Sequence, residues 1–72
     1  MRVATEMVAL FAHPSSDGYV VVHDGYAWWA VPTHSAGWMR RVPYSGPRSM
    51  LLRLPPAEID HAHATYGIPN IK

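Results

Sequence analysis

Five histidines, His13, His23, His34, His61 and His63, carry the chain's main potential for metal chemistry. His61 and His63 stand two residues apart, which on a helix separates them by about 200° and keeps them from gripping one ion together. Helical zinc ligands are placed four apart instead. There is no cysteine, so thiolate ligation and disulfide bracing are both excluded. A histidine site would need His13, His23 or His34 to converge from loops, helped by Asp24 or Asp60. No C-x₂-C or H-E-x-x-H spacing supports that convergence, so no metal or other cofactor is expected. His63 reads as a hydrogen-bonded residue at the edge of the core.

Nucleophilic and acid–base chemistry are less well supplied. Ser35, Ser45 and Ser49 lie outside any G-x-S-x-G elbow. The five acids, Glu6, Asp17, Asp24, Glu58 and Asp60, are too scattered for a glycosidase-type pair. A pocket of ordinary ligand size is hard to enclose with 72 residues. The chain reads as a non-enzyme.

What remains is aromatic and cationic. Arg40, Arg41, Arg48 and Arg53 fall in a stretch without an acid, and the acids lie in the flanking portions. Trp28 and Trp29 are adjacent in a run, residues 26–31, that reads as a strand. Successive strand residues point to opposite faces, so one sheet face cannot bury both rings. Either the strand is covered on both sides, or one ring is offered to a partner.

The elements that would position these groups are short. Residues 19–23 and 26–31 are β-branched and aromatic, and Asp24-Gly25 between them is a strong hairpin signal. A two-residue Asp24-Gly25 loop sets His23 opposite Tyr26, Val21 opposite Trp28 and Tyr19 opposite Ala30. Val20, Val22, Ala27, Trp29 and Val31 then share an apolar face that reads as core, with Trp28 on the other side. Residues 37–54 read as a second hairpin about Ser45-Gly46. There Met39, Arg41, Met50, Leu52 and Leu54 share one side, and Trp38, Arg40, Val42, Tyr44, Leu51 and Arg53 share the other. Pro43 and Pro47 restrict that pairing to an edge or a bulge. Pro56, Glu58 and Asp60 mark a helix start, and Gly67 with Pro69 marks its end. Ile59, Ala62, His63 and Tyr66 give the helix one buried stripe. Residues 2–13 fit a strand or a helix, with strand slightly favoured.

These elements predict one small α+β domain over residues 1–72. It is an antiparallel meander of four or five strands, with an SH3-like small barrel as a variant, and a C-terminal α-helix packed on the Trp29 face. Charged residues are only 15% of the chain, which favours burial of apolar surface against another molecule. The longest apolar run, residues 7–12, is far too short to cross a bilayer. No signal-peptide pattern is present, so a cytoplasmic, non-membrane protein is expected. No motif points to a known family.

The expected function is a small non-enzymatic protein-binding module. Trp28 and Trp38 would be apolar anchors, Arg40 and Arg53 charged contacts, and Tyr19, Tyr26 and Tyr44 members of the same face. Size and economy suit a phage or mobile-element inhibitor, anti-CRISPR-like or a host-takeover protein, that sterically blocks a larger protein or nucleoprotein complex. One alternative is a nucleic-acid-binding module stacking bases on that face. Against it stand six basic side chains in all and a net charge of +1. Another alternative is a structural homodimer that seals the face by symmetry.

Overall fold

A computed structural model describes residues 9–14 and 18–69. Strands β1 (Ala9–Ala12), β2 (Tyr19–His23) and β3 (Trp28–Pro32) are followed by a 3₁₀ turn (Gly37–Arg40). Two short strands, β4 (Val42–Pro43) and β5 (Leu52–Arg53), precede helix α1 (Pro56–Tyr66). All neighbouring strands run antiparallel in the order β4-β3-β2-β1-β5. The architecture is therefore the α+β meander the patterning predicts, with the sheet open rather than closed into a barrel. The strand reading of the N-terminal segment holds for Ala9–Ala12, and residues 2–8 lie outside the described residues.

The β2–β3 register differs from the expected one by a parity-preserving step. His23 pairs with Trp28, Val22 with Trp29 and Val21 with Ala30. The Asp24 N–H donates to the Ala27 carbonyl, so the turn centres on Gly25-Tyr26 rather than Asp24-Gly25. Asp24 is the cause. Its Oδ1 accepts from the Tyr26 and Ala27 N–H groups at 2.8 and 2.9 Å, and its Oδ2 accepts from the Trp29 indole at 2.9 Å. The side chain thus closes the turn, and only Gly25 takes a positive φ. Tyr26 consequently leaves the strand face for the turn, where it is 95% exposed.

Because the displacement is even, the side chains that remain within β2 and β3 keep their predicted faces. Val20, Val22 and Val31 are buried with Leu10, Ala62 and Ile68, and Trp29, Trp38, Leu54, Ile59 and Tyr66 pack around them. This is the face α1 covers. The helix follows its sequence signals: Pro56 opens it, the Pro55 carbonyl accepts from the Glu58 and Ile59 N–H groups, and Gly67 ends it at φ 77°. His63 Nδ1 lies 2.9 Å from the Ile68 carbonyl. A carbonyl only accepts, so Nδ1 carries the proton there. The Ala36 N–H donates to the Thr65 carbonyl and ties the end of the helix to the loop after β3.

The second expected hairpin does not form. β4 pairs with β3 and β5 pairs with β1, so residues 44–51 cross from one edge of the sheet to the other. The prolines are the physical reason. Pro43 cannot donate to a partner beyond β4, and Pro47 removes a second donor where a returning strand would need one. The grouping built on that hairpin fails with it. Trp38, Arg40 and Met39 sit on the 3₁₀ turn, and Met39 is 81% exposed. Leu54 does reach the core.

Asp24 makes the hairpin sensitive to acid. Burial pushes its carboxyl up, but the hydrogen bonds from Ala27, Tyr26 and the Trp29 indole, with His23 nearby, outweigh this and hold it below the ordinary aspartate value. A carboxyl depressed in the folded state contributes stability above its unfolded value, and that contribution is lost as pH falls through the folded value. Asp24→Asn should therefore be less stable than the parent at pH 7, and the difference should shrink on acidification below about pH 4. Thermal melts across that pH range check this.

Candidate functional site

The face opposite α1 gathers residues from four strands and the crossover. Phe11 and Val21 are paired across β1 and β2, and His23 and Trp28 across β2 and β3, so alternation sets all four on one side. The Phe11 and Trp28 ring centroids are 5.5 Å apart, and the His23 and Trp28 centroids 4.7 Å. Tyr44, just after β4, lies 6.4 Å from Tyr19. Its hydroxyl donates to the Pro47 carbonyl at 2.7 Å, which anchors the start of the crossover. Arg48, within the crossover, holds its guanidinium 5.4 Å from the centre of the Trp28 ring. Arg53 on β5 does the same over Phe11 at 5.6 Å.

This face is thus a second cluster rather than an open platform. Val21 is fully buried on it and is not part of the helix-side core. Trp28 is half-buried, with Phe11, His23 and Arg48 around it. Both adjacent tryptophans are therefore covered, Trp29 by the helix side and Trp28 by the chain's own crossover.

Of the seven residues expected on one binding face, four are brought together: Tyr19, Trp28, Tyr44 and Arg53. Trp38 is not among them. It packs on the core side at 6.5 Å from Trp29, edge to face, because the 3₁₀ turn starting at Gly37 folds it back beneath β3. Gly37 is buried there against Pro32, and a Cβ at that position would collide with the Pro32 carbonyl oxygen. Arg40 is exposed on the same turn, away from the aromatic cluster. Tyr26 is in the β2–β3 turn. Arg41 lies between the two core-side indoles, 4.6 Å from the Trp29 ring and 4.2 Å from that of Trp38, and donates to the Trp38 carbonyl at 3.0 Å. Its Nε–H is buried without a hydrogen-bond partner among the described residues, so the ring contacts are what offset its desolvation.

Sequence reasoning missed two members of the face, Phe11 and Arg48, and mispaired a third, His23. Phe11 was hidden in the segment that fitted either strand or helix. His23 was placed on the correct side, but opposite Tyr26 rather than Trp28. Arg48 could be placed only by knowing that residues 44–51 cross the sheet.

Electrostatically the face is one-signed among the described residues. Asp24 is committed to the turn and the Trp29 indole, while Glu58 and Asp60 belong to α1 on the opposite side of the sheet. Arg48 and Arg53 are both exposed, so each guanidinium keeps donors available beyond its ring contact. Among the described residues, no group of three histidine or acidic side chains is placed to hold a metal. No helix among them is long and apolar enough to cross a membrane. No family model, curated protein or solved structure matches the chain.

Trp28 now carries a structural consequence that a free surface anchor would not. Trp28→Ala should lower stability by about 2 kcal/mol or more, because it opens a gap beside Phe11 and His23. Arg48→Ala, in which an exposed side chain is removed, should cost under about 1 kcal/mol. Urea titrations of the two variants against the parent measure both.

Proposed function

We propose that this chain is a small non-enzymatic protein-binding module whose arginine-bearing sheet face, centred on Arg48 and Arg53, engages an acidic surface of a larger protein or nucleoprotein complex. The observation that carries this reading is that both guanidiniums are held over aromatic rings, exposed, on a face without a described acid. Stacking on a ring limits the rotamer freedom an arginine would lose on binding, and a planar fork of donors suits a carboxylate. Arginine and the aromatic residues are also the types enriched among interface hot spots. Trp28, Tyr19 and Tyr44 act here as the bed that positions the arginines, and Trp38 and Arg40 have no place in this contact.

Such a module needs only shape and charge to work. Covering an assembly or nucleic-acid-binding surface of its target would inhibit it sterically, which is the mode expected of a phage or mobile-element inhibitor acting on host machinery.

The geometry favours a protein target over a nucleic acid. A stacking platform needs open ring faces, and Trp28 and Phe11 already have arginines over theirs. Binding to labelled single- and double-stranded oligonucleotides at about 50 and 200 mM salt separates the two, because released counterions make phosphate binding salt-dependent. The expected outcome is no oligonucleotide binding at either salt. Affinity capture from a lysate should instead retain a partner that the Arg48→Ala/Arg53→Ala double variant loses, each change costing about 1 kcal/mol or more in affinity. Salt-sensitive oligonucleotide binding with quenched tryptophan emission would reverse the assignment.

A further inference from the structure

The two edges of the sheet are not equivalent. Ladder geometry fixes which backbone groups point outward, because alternate residues of an edge strand bond inward and the others face solvent. On β4 the Tyr44 N–H donates to the Trp28 carbonyl, so residues 42 and 44 bond inward and Pro43 occupies the outward position. Proline has no N–H to offer, and the neighbouring Arg41 N–H is already given to the Trp38 carbonyl. Within β4 itself (Val42–Pro43) there is thus no outward donor for a further strand. On β5 the Leu54 N–H donates to the Leu10 carbonyl, so residues 52 and 54 bond inward and Arg53 faces outward. Its N–H and C=O are both directed away from the sheet.

The side chains around Arg53 differ by face. Arg53 itself lies on the aromatic side, with Arg48 nearby on the crossover. Leu52 alternates to the other side and is 63% exposed, and Met50 just before it is 54% exposed. The β5 rim therefore offers one outward donor–acceptor pair, cationic groups towards one face and apolar groups beside it, with no acid in residues 40–53.

Resting on the protein-binding reading above, we propose that the partner docks as an extended acidic segment along β5, paired to the Arg53 backbone. The residue opposite Arg53 points to the aromatic face and is acidic, meeting the Arg53 and Arg48 guanidiniums. Its immediate neighbours point the other way and are apolar, the one opposite Leu52 meeting that exposed side chain. Backbone bonds supply orientation, and charge complementarity selects the sequence. Pro55 follows two residues after Arg53 and has no N–H, so the added pairing is confined to this short register.

Selection from a displayed library of short random peptides tests this directly. The expected winners alternate acidic and apolar residues. N-methylation of the peptide amide that bonds to the Arg53 carbonyl should then weaken binding by about tenfold or more, since it removes one hydrogen bond and obstructs the approach. The variant Arg53→Pro removes the outward N–H, and it should lose peptide binding while Arg53→Ala retains part of it. Far-ultraviolet circular dichroism checks that both variants fold, and the N-methylated peptide gives the answer with the parent chain should Arg53→Pro not fold. Enrichment of no peptide, enrichment of helical patterns, or indifference to N-methylation overturns the edge pairing. If lysate capture still depends on Arg48 and Arg53 in that case, the protein-binding reading stands without it. If capture is also indifferent to the arginines, both fall.

Discussion

The even-numbered displacement of the β2–β3 hairpin is what the rest of the molecule depends on. Asp24 spends its carboxylate on the Tyr26 and Ala27 N–H groups and on the Trp29 indole, and so moves the turn without exchanging faces. A shift by one residue would have put Val22 on one face with Trp28 and Val21 on one face with Trp29, so that neither face kept its set. With the faces fixed, two bulky rings at adjacent positions require cover on both sides of one small sheet. The chain solves this with two different devices. Helix α1 and the 3₁₀ turn cover Trp29, and the crossover of residues 44–51 covers Trp28.

That division explains why the arginines behave so differently. Arg41 lies between Trp29 and Trp38, with one hydrogen bond to a backbone carbonyl, and contributes to holding the turn in place. Arg48 and Arg53 also lie against rings, but on the other face and exposed. The same interaction therefore serves as internal packing in one case and as presentation of charge in the other. Prolines enforce the arrangement, since Pro43 closes one edge of the sheet and sends the chain across to the opposite edge rather than back along β4.

Much of this is legible in the sequence. The strand Tyr19–His23, a second strand read over residues 26–31 and formed by Trp28–Pro32, the opposite sides of Trp28 and Trp29, and the helix bounded by Pro56 and Gly67 all follow from period and capping signals that act locally. The turn position was missed because an aspartate side chain that bonds to its own turn competes with the Asp-Gly backbone preference, and only the distant Trp29 indole shows which wins. Residues 37–54 were misread for a different reason. Their pairing partners, β3 and β1, are far away in sequence, and a short stretch with two prolines contains no periodicity that names a distant strand. Trp38 went with that error. Its outward placement came from strand alternation, whereas a 3₁₀ turn begun at a buried glycine directs it to the core.

Ring-to-ring contacts in solution decide the central claim, that each of the adjacent tryptophans is covered by a different part of the chain. Nuclear Overhauser spectra of the isotopically labelled protein resolve the three indoles separately. The account predicts cross-peaks from Trp29 to Trp38 and Arg41, and from Trp28 to Phe11, His23 and Arg48, with none between Trp28 and Trp38. A Trp28–Trp38 cross-peak would contradict it, because those rings can meet only if the crossover is replaced by a hairpin that brings residue 38 to the outer face.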